Sequence, residues 1–162
     1  AYFKVAKNTE HPFVVTAGEL EVLVTGTTFG VRAYKDEKDI QTTLESGQVT
    51  VRVEGKSVKL VPNKQVLFNK LTMGMEVRDV DVDLYLAWAD GRLVYDNCPL
   101  EKILTDLGRW YNIDVFYSRD ELRSYQFSLN MKKHEEFIQV LELIGKTGEV
   151  QFEVKDNTVI VR

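Results

Sequence analysis

The clearest pattern of apolar residues along this chain occurs twice in its second half, with an offset of 37 residues. Each occurrence has apolar residues at helical spacing, then a glycine, then alternating apolar residues, which is typical of a helix followed by a half-buried strand. The pattern therefore predicts two such units. The matched positions are Leu100, Ile103, Leu104, Leu107, Gly108, Ile113, Val115 and Tyr117 in the first unit, and Phe137, Val140, Leu141, Ile144, Gly145, Val150, Phe152 and Val154 in the second.

Strands predicted ahead of both helices turn the two units into strand-helix-strand repeats of a small α/β domain. We expect Asn97 to cap the first helix, with Pro99 in its first turn and its end near Arg109 or Tyr111. The second helix should run from about His134 to Lys146. The predicted strands cover residues 93–95, 125–129, 150–154 and 159–161, the last two joined as a hairpin.

The first half of the chain, over residues 13–82, has short β-type runs and no helical period. Turn-forming residues separate the runs at intervals of about 8 to 12 residues, as in sandwiches and barrels. Asp79, Asp81 and Asp83 alternate along one run, and we expect them on the solvent face of a strand. They lack the glycine turn and the terminal glutamate of a calcium-binding loop. The sequence thus predicts an α+β chain, with an all-β sandwich over residues 1–89 and the α/β domain over residues 90–162.

Composition and charge exclude several classes of function. The 162 residues carry a formal charge of −4, which gives no overall field to attract nucleic acid, so no nucleic-acid partner is expected. The longest apolar run, residues 84–89, is far shorter than the roughly 20 residues of a membrane span. Cys98 is the single cysteine and the histidines are His11 and His134, which predicts neither an internal disulfide nor a metal site. No cofactor-binding motif is present.

No residue pattern in the sequence predicts an enzyme. There is no phosphate-binding glycine loop and no serine elbow. Cys98 lies near a predicted helix start, where a thiolate is favoured, but an unreactive thiol is the simpler interpretation. Trp88, Trp110 and Tyr111 could form an aromatic platform for a sugar or peptide. The simpler interpretation is packing, with Trp88 at the junction between the two halves.

Three stretches of the sequence, residues 22–31, 42–49 and 88–114, together resemble FecR-like anti-sigma regulators. The glycine-threonine-x-phenylalanine-x-valine motif of that family's β domain matches Gly26, Thr27, Phe29 and Val31. The start of its second domain matches Trp88, Gly91, Asn97, Pro99 and Leu100, and the arginine-tryptophan-tyrosine that closes the helix matches Arg109, Trp110 and Tyr111.

This resemblance implies a jelly-roll-like β domain and then a domain similar to the short N-terminal domain of secretins and TonB-dependent receptors. It also implies the periplasmic part of a single-pass inner-membrane protein, whose anchor and sigma-binding cytoplasmic segment are absent from this sequence. The expected partners are the signalling domain of a TonB-dependent outer-membrane receptor and, through the absent segment, an extracytoplasmic-function sigma factor. The alternatives are a carbohydrate-binding β-sandwich with an accessory domain, and an enzyme whose groups converge from distant positions.

Two candidate sites follow. A small sheet covered by helices on one face leaves strand edges on which another domain's strand can pair, and we expect these edges to include Tyr125, Phe127, Leu129, Val159 and Val161.

The second candidate site is the Gly26-Thr27 bond. Some members of the family that the sequence resembles cleave themselves between the glycine and threonine of their motif. Such cleavage needs a strained turn and a positioned proton acceptor. The alternative is a β-turn in which the glycine permits a tight bend, and it requires no chemistry.

Overall fold

A computed structural model describes residues 1–132 and 136–162, so the predicted helix start at His134 lies outside the described residues. The chain folds into two compact units, residues 1–89 and 90–162. Most of the regular structure is strand and a few helices are present, which confirms the predicted α+β class.

The first unit consists of two antiparallel sheets. The strands are β1 (Tyr2–Lys4), β2 (Phe13–Ala17), β3 (Leu20–Val24), β4 (Thr28–Arg32), β5 (Asp39–Ser46), β6 (Val49–Val53), β7 (Lys56–Leu60), β8 (Lys64–Asn69) and β9 (Gly74–Asp79). One sheet has the order β1-β4-β5-β8-β9 and the other has the order β2-β3-β6-β7. Both sheets contribute buried side chains to one apolar core, so the unit is a two-sheet sandwich. Its jelly-roll connectivity stays a prediction.

The strand alternation that the sequence indicates is visible in β6. Val49, Val51 and Val53 are buried, whereas Arg52 between them is exposed. Because successive side chains of a strand point to opposite faces, the valines fill the core and the polar residues meet water.

The interpretation of residues 79–83 as one strand is wrong after Asp79. The strand β9 ends there, and Asp81 caps the short helix α1 (Val82–Leu86) by accepting a hydrogen bond from the Asp83 amide at 3.0 Å. The Asp81 side chain satisfies a free amide at the helix start, and this contact outweighs the apolar alternation, which by itself indicates a strand. A 3₁₀ helix, Ala87–Asp90, follows.

The second unit contains the two long helices and the remaining strands. These elements are β10 (Arg92–Pro99), α2 (Leu100–Tyr111), β11 (Asp114–Tyr117), a 3₁₀ helix (Asp120–Ser124), β12 (Gln126–Lys132), α3 (Phe137–Gly145), β13 (Phe152–Lys155) and β14 (Thr158–Val161). The strands β10 and β12 form an antiparallel pair. A second sheet has the order β11-β14-β13, with β11 parallel and β13 antiparallel to β14.

The apolar stripes of both helices lie in one core. The four stripe residues of α2 are fully buried, and on α3 the residues Val140, Leu141 and Ile144 are buried. A Cβ atom on Gly108 would lie 3.0 Å from the Ile113 carbonyl oxygen, so the chain after α2 returns too closely for a larger residue. This burial explains the helical spacing of the apolar residues. The interpretation of the two helix-strand segments as structural repeats stays a prediction.

Asn97 does not cap α2 as predicted, because Pro99 occupies that position. Asn97 lies in a bulge of β10, with φ of 43°, and its amide donates a hydrogen bond to Ser128 Oγ at 2.8 Å. The pairing of β10 with β12 continues to Pro99 and keeps Asn97 in the sheet, where asparagine tolerates a left-handed backbone better than most residues.

Candidate docking edges and the Gly26-Thr27 junction

Gly26 lies where two chain segments approach closely. Its φ is 144°, in a range that favours glycine, and a Cβ atom on it would lie 2.7 Å from the α-carbon of Lys7. The next residue, Thr27, exchanges backbone hydrogen bonds with Val5 in both directions, at 2.9 and 3.1 Å. The glycine therefore permits the segment around Val5 to pair beside this turn.

The Thr27 hydroxyl is buried and has a neutral partner. Thr27 is 3% exposed, and its Oγ1 donates a hydrogen bond to the Gln48 carbonyl oxygen at 2.8 Å. On the other side, a Cβ atom on Gly47 would lie 2.6 Å from the Gly26 carbonyl oxygen. Within the described part of the chain, no titratable side chain is hydrogen-bonded to Thr27. In this arrangement the Thr27 hydroxyl donates to a neutral acceptor, and self-cleavage at the Gly26-Thr27 bond stays a prediction.

The predicted docking residues near Tyr125 lie on an unpaired edge. Over the described ranges β12 pairs with β10 alone, so its other edge is free. Phe127 and Leu129 are buried and face the core, and Ser128 between them is polar and exposed. Tyr125 precedes the strand, and its carbonyl accepts a hydrogen bond from the Leu100 amide at 2.7 Å. Binding at this edge stays a prediction.

The prediction that Val159 and Val161 lie on an edge is wrong. Both residues are fully buried on β14, which is the central strand between β11 and β13. The last strand of the chain is central because β11, more than 40 residues earlier, adds to it in parallel. Parallel pairing of this kind depends on a long connection and leaves no local sequence signal.

The strand β11 is a further edge, which was not predicted from the sequence. Its side opposite β14 has no strand partner within the described residues. Phe116 on this strand is 61% exposed and lies in register with Ile160 of β14. A sequence signal was present, since the alternation that half-buries Val115 and Tyr117 places Phe116 on the opposite face.

Charged residues pack beside the end of β11. The Arg123 guanidinium lies 4.1 Å from the centre of the Tyr117 ring, a distance typical of a cation–π contact. Arg123 also pairs with Glu101 at 2.9 Å and Asp120 at 3.1 Å. Burial raises the pKa of Tyr117 to about 12, although the Arg123 charge acts in the opposite direction.

A buried carboxylate, Asp106, connects α2 with β10. It is 4% exposed and accepts hydrogen bonds from the Tyr95 hydroxyl at 3.1 Å and from Lys102 at 2.8 Å, with Arg109 at 3.6 Å. Neighbouring cations satisfy the charge, so the arrangement is structural. Elsewhere in the described ranges, no group of histidine, cysteine, aspartate or glutamate side chains is arranged to hold a metal ion.

The surfaces considered for a sugar are not aromatic. An open trough on the first unit is lined by polar and small residues, among them Glu21, Arg52 and Lys56, and none of the lining residues is aromatic. The Trp88 ring lies 6.4 Å from that of Tyr2 and its indole donates to the Tyr85 carbonyl. The Tyr111 ring lies 5.9 Å from that of Phe137. These are packing contacts inside each unit.

Comparisons with known proteins agree over both units. The family model described as FecR protein matches residues 1–50, and the model described as FecR, C-terminal, matches residues 92–161. No curated protein matches the sequence. No described helix has the length and apolar character needed to cross a membrane.

Solved structures share the fold. Two crystal structures of a candidate anti-sigma factor from Parabacteroides distasonis ATCC 8503 align with TM-scores of 0.83 and 0.82. Each shares 21% sequence identity with this chain, and each alignment covers 99% of this chain. The alignments cover 76% and 75% of the two crystallised chains. Because models for both parts of FecR proteins match in the same order along the sequence, the chain belongs to the FecR family.

Proposed function

We propose that this chain is the periplasmic, signal-receiving region of a membrane-anchored anti-sigma regulator. In this proposal it binds the signalling domain of a TonB-dependent outer-membrane receptor and thereby controls an extracytoplasmic-function sigma factor through a cytoplasmic segment. The observation that carries the proposal is the FecR C-terminal match over residues 92–161, a range that also contains free strand edges.

The second unit is suited to docking. Its helices bury their apolar stripes in the core, and the outer strands of its two sheets each have an edge without a strand partner within the described residues. Strand edges bind other proteins through backbone hydrogen bonds, and such binding requires no reactive side chain. A relay of this kind is therefore compatible with the absence of a catalytic motif in the sequence.

Binding between this chain and a receptor signalling domain tests the proposal. We expect saturable 1:1 binding in isothermal titration calorimetry with the signalling domain of the receptor whose gene lies beside that of this chain. The signalling domain of an unrelated receptor from the same genome is the control and should give no heat of binding. If the folded chain binds none of the receptor signalling domains encoded in its genome, the proposal is wrong.

A carbohydrate-binding function lacks comparable support. Sugar sites commonly stack the ring on an exposed aromatic side chain. The trough beside Arg52 has no such side chain, and Trp88 and Tyr111 pack against other rings. Titration of the chain with glycans should therefore give no saturable signal, whereas titration with the receptor domain should.

A further inference from the structure

The unpaired strand edges of the second unit differ in how they are protected against pairing. Natural proteins protect such edges with short strand length, charged side chains, proline or bulges. On β13, Glu153 forms ion pairs with Lys155 and Arg162. The strand β10 is interrupted by its bulge between Tyr95 and Cys98. The strand β12 exposes Gln126, Ser128, Asn130 and Lys132.

The strand β11 is short and has one charged residue, Asp114, at its first position, so its protection is weakest at the centre. From Val115 to Ser118 it contains no charged residue and no proline, and its register with β14 is continuous. At its centre Phe116 is 61% exposed, and the in-register Ile160 extends the apolar surface onto the neighbouring strand. An edge whose central residues are uncharged and include an exposed aromatic residue is the type of edge that pairs with another chain.

The hydrogen bonds to β14 show which backbone groups of β11 point outward. The amides of Asp114 and Ser118 donate to the carbonyls of Asn157 and Val161, at 2.8 and 2.9 Å. In a parallel pair alternate residues bond to the same neighbour, so Phe116 also bonds to β14, whereas Val115 and Tyr117 direct their amides and carbonyls outward.

Neither outward amide has a hydrogen-bond partner within the described part of the chain. Backbone groups in this situation pair with water or with another strand. Val115 and Tyr117 thus supply two amide donors and two carbonyl acceptors at the spacing that an additional strand requires.

We propose that β11 accepts a strand of the partner domain, which extends the sheet β11-β14-β13 by one strand. The identity of that partner rests on the proposed function. The side chains of Asp114 and Phe116 share one face of the strand, and Asp114 has no ion-pair partner within the described ranges. The incoming strand therefore carries an apolar side chain beside Phe116 and a lysine or arginine near Asp114, on the same face.

Calorimetry with the full chain and the same receptor signalling domain tests the edge. We expect Phe116→Lys to weaken binding at least tenfold, because it puts a charge where the added strand packs. The matched control is Leu143→Lys on α3, which introduces the same charge at an exposed apolar residue outside the strand edges and should alter affinity less than twofold. Equal affinities of the Phe116→Lys and unsubstituted chains would overturn the β11 assignment, as would equal weakening by both substitutions.

Amide hydrogen exchange, followed by NMR, gives a second readout that does not depend on folding of a variant. At saturation the amides of Val115 and Tyr117 should become protected, whereas that of Phe116 should be protected already in the free chain. If the partner binds and these two amides exchange as before, β11 is not the docking edge while the proposed function stands. If the unsubstituted chain does not bind the receptor domain, both proposals are wrong.

Discussion

At the scale of single residues, the reactivity of the Thr27 hydroxyl depends on the atom that accepts its hydrogen bond. Attack on the preceding carbonyl requires a group that takes the hydroxyl proton. In this structure the proton is directed at the Gln48 carbonyl oxygen, which is neutral and weakly basic. Gly47 leaves little space on the other side of the junction.

We therefore expect the Gly26-Thr27 bond to stay intact. Intact-mass spectrometry of the full-length protein after membrane expression should give one uncut species, and a Thr27→Ala variant should give the same result. Two fragments that separate at this bond in the unsubstituted protein, and are absent from the variant, would contradict the prediction.

The raised pKa of Tyr117 makes the free energy of unfolding depend on pH. Burial raises the pKa of its hydroxyl from 10.0 to about 12, so between these pH values the unfolded chain has lost this proton and the folded chain retains it. Stability falls with rising pH wherever the unfolded state binds fewer protons. This contribution is present below pH 10 and is lost as the pH rises towards 12.

Replacement of Tyr117 by phenylalanine should remove that loss. We expect the urea midpoint of Tyr117→Phe to decline less between pH 9 and pH 11 than that of the unsubstituted protein. All other ionisable groups are the same in both proteins, so the difference between the two profiles isolates Tyr117. Parallel profiles would show that the hydroxyl titrates equally in the folded and unfolded states.

At the scale of elements, the leucines of the second unit differ in burial according to whether they face the core. Leu104 of α2 is fully buried, whereas Leu143 of α3 is 44% exposed. We expect Leu104→Ala to reduce the free energy of unfolding by about 2–5 kcal/mol, because it removes buried methyl groups and leaves a cavity. Leu143→Ala is the matched control and should change it by less than about 0.5 kcal/mol. Chemical denaturation followed on NMR signals of residues 90–162 measures both; equal losses would contradict the assigned core.

The elements also show what the sequence could predict. The stripe from Leu100 to Leu107 specified α2 because a helix buries one face, and the valines of β6 specified a strand for the same reason. Two predictions failed where another contact outweighed the local pattern. Asp81 caps a helical turn inside an alternating run, and pairing with β12 keeps Asn97 in a strand.

The docking edges were harder to predict than the elements. Which edge is free depends on which strands pair, and the pairing of β11 with β14 joins residues far apart in sequence. The sequence therefore indicated strands at Val159 and Val161 without showing that they are enclosed. The alternation of Val115 and Tyr117 implies that Phe116 lies on the opposite face, but no local pattern distinguishes an exposed edge residue from one covered by another strand.

At the scale of the whole molecule, each unit has an apolar core of its own. Side chains of α2, α3 and the neighbouring strands form one buried cluster, and the sandwich of residues 1–89 forms another. A unit of this size is near the lower limit at which an apolar core alone is sufficient for folding. The buried Asp106 and its partners add polar contacts between α2 and β10, and these contacts supplement the small apolar core.

We expect residues 90–162, produced alone, to fold. In a ¹⁵N–¹H correlation spectrum the isolated fragment should give dispersed amide signals that overlay those of the same core residues in the full chain, because their buried neighbours all lie within the fragment. The matched control is the fragment with Leu104→Ala, which should lose dispersion if the cluster is what holds the unit together. A collapsed spectrum for the unsubstituted fragment would mean that the apolar cluster is insufficient without residues 1–89, and the second unit would then not be an independent domain.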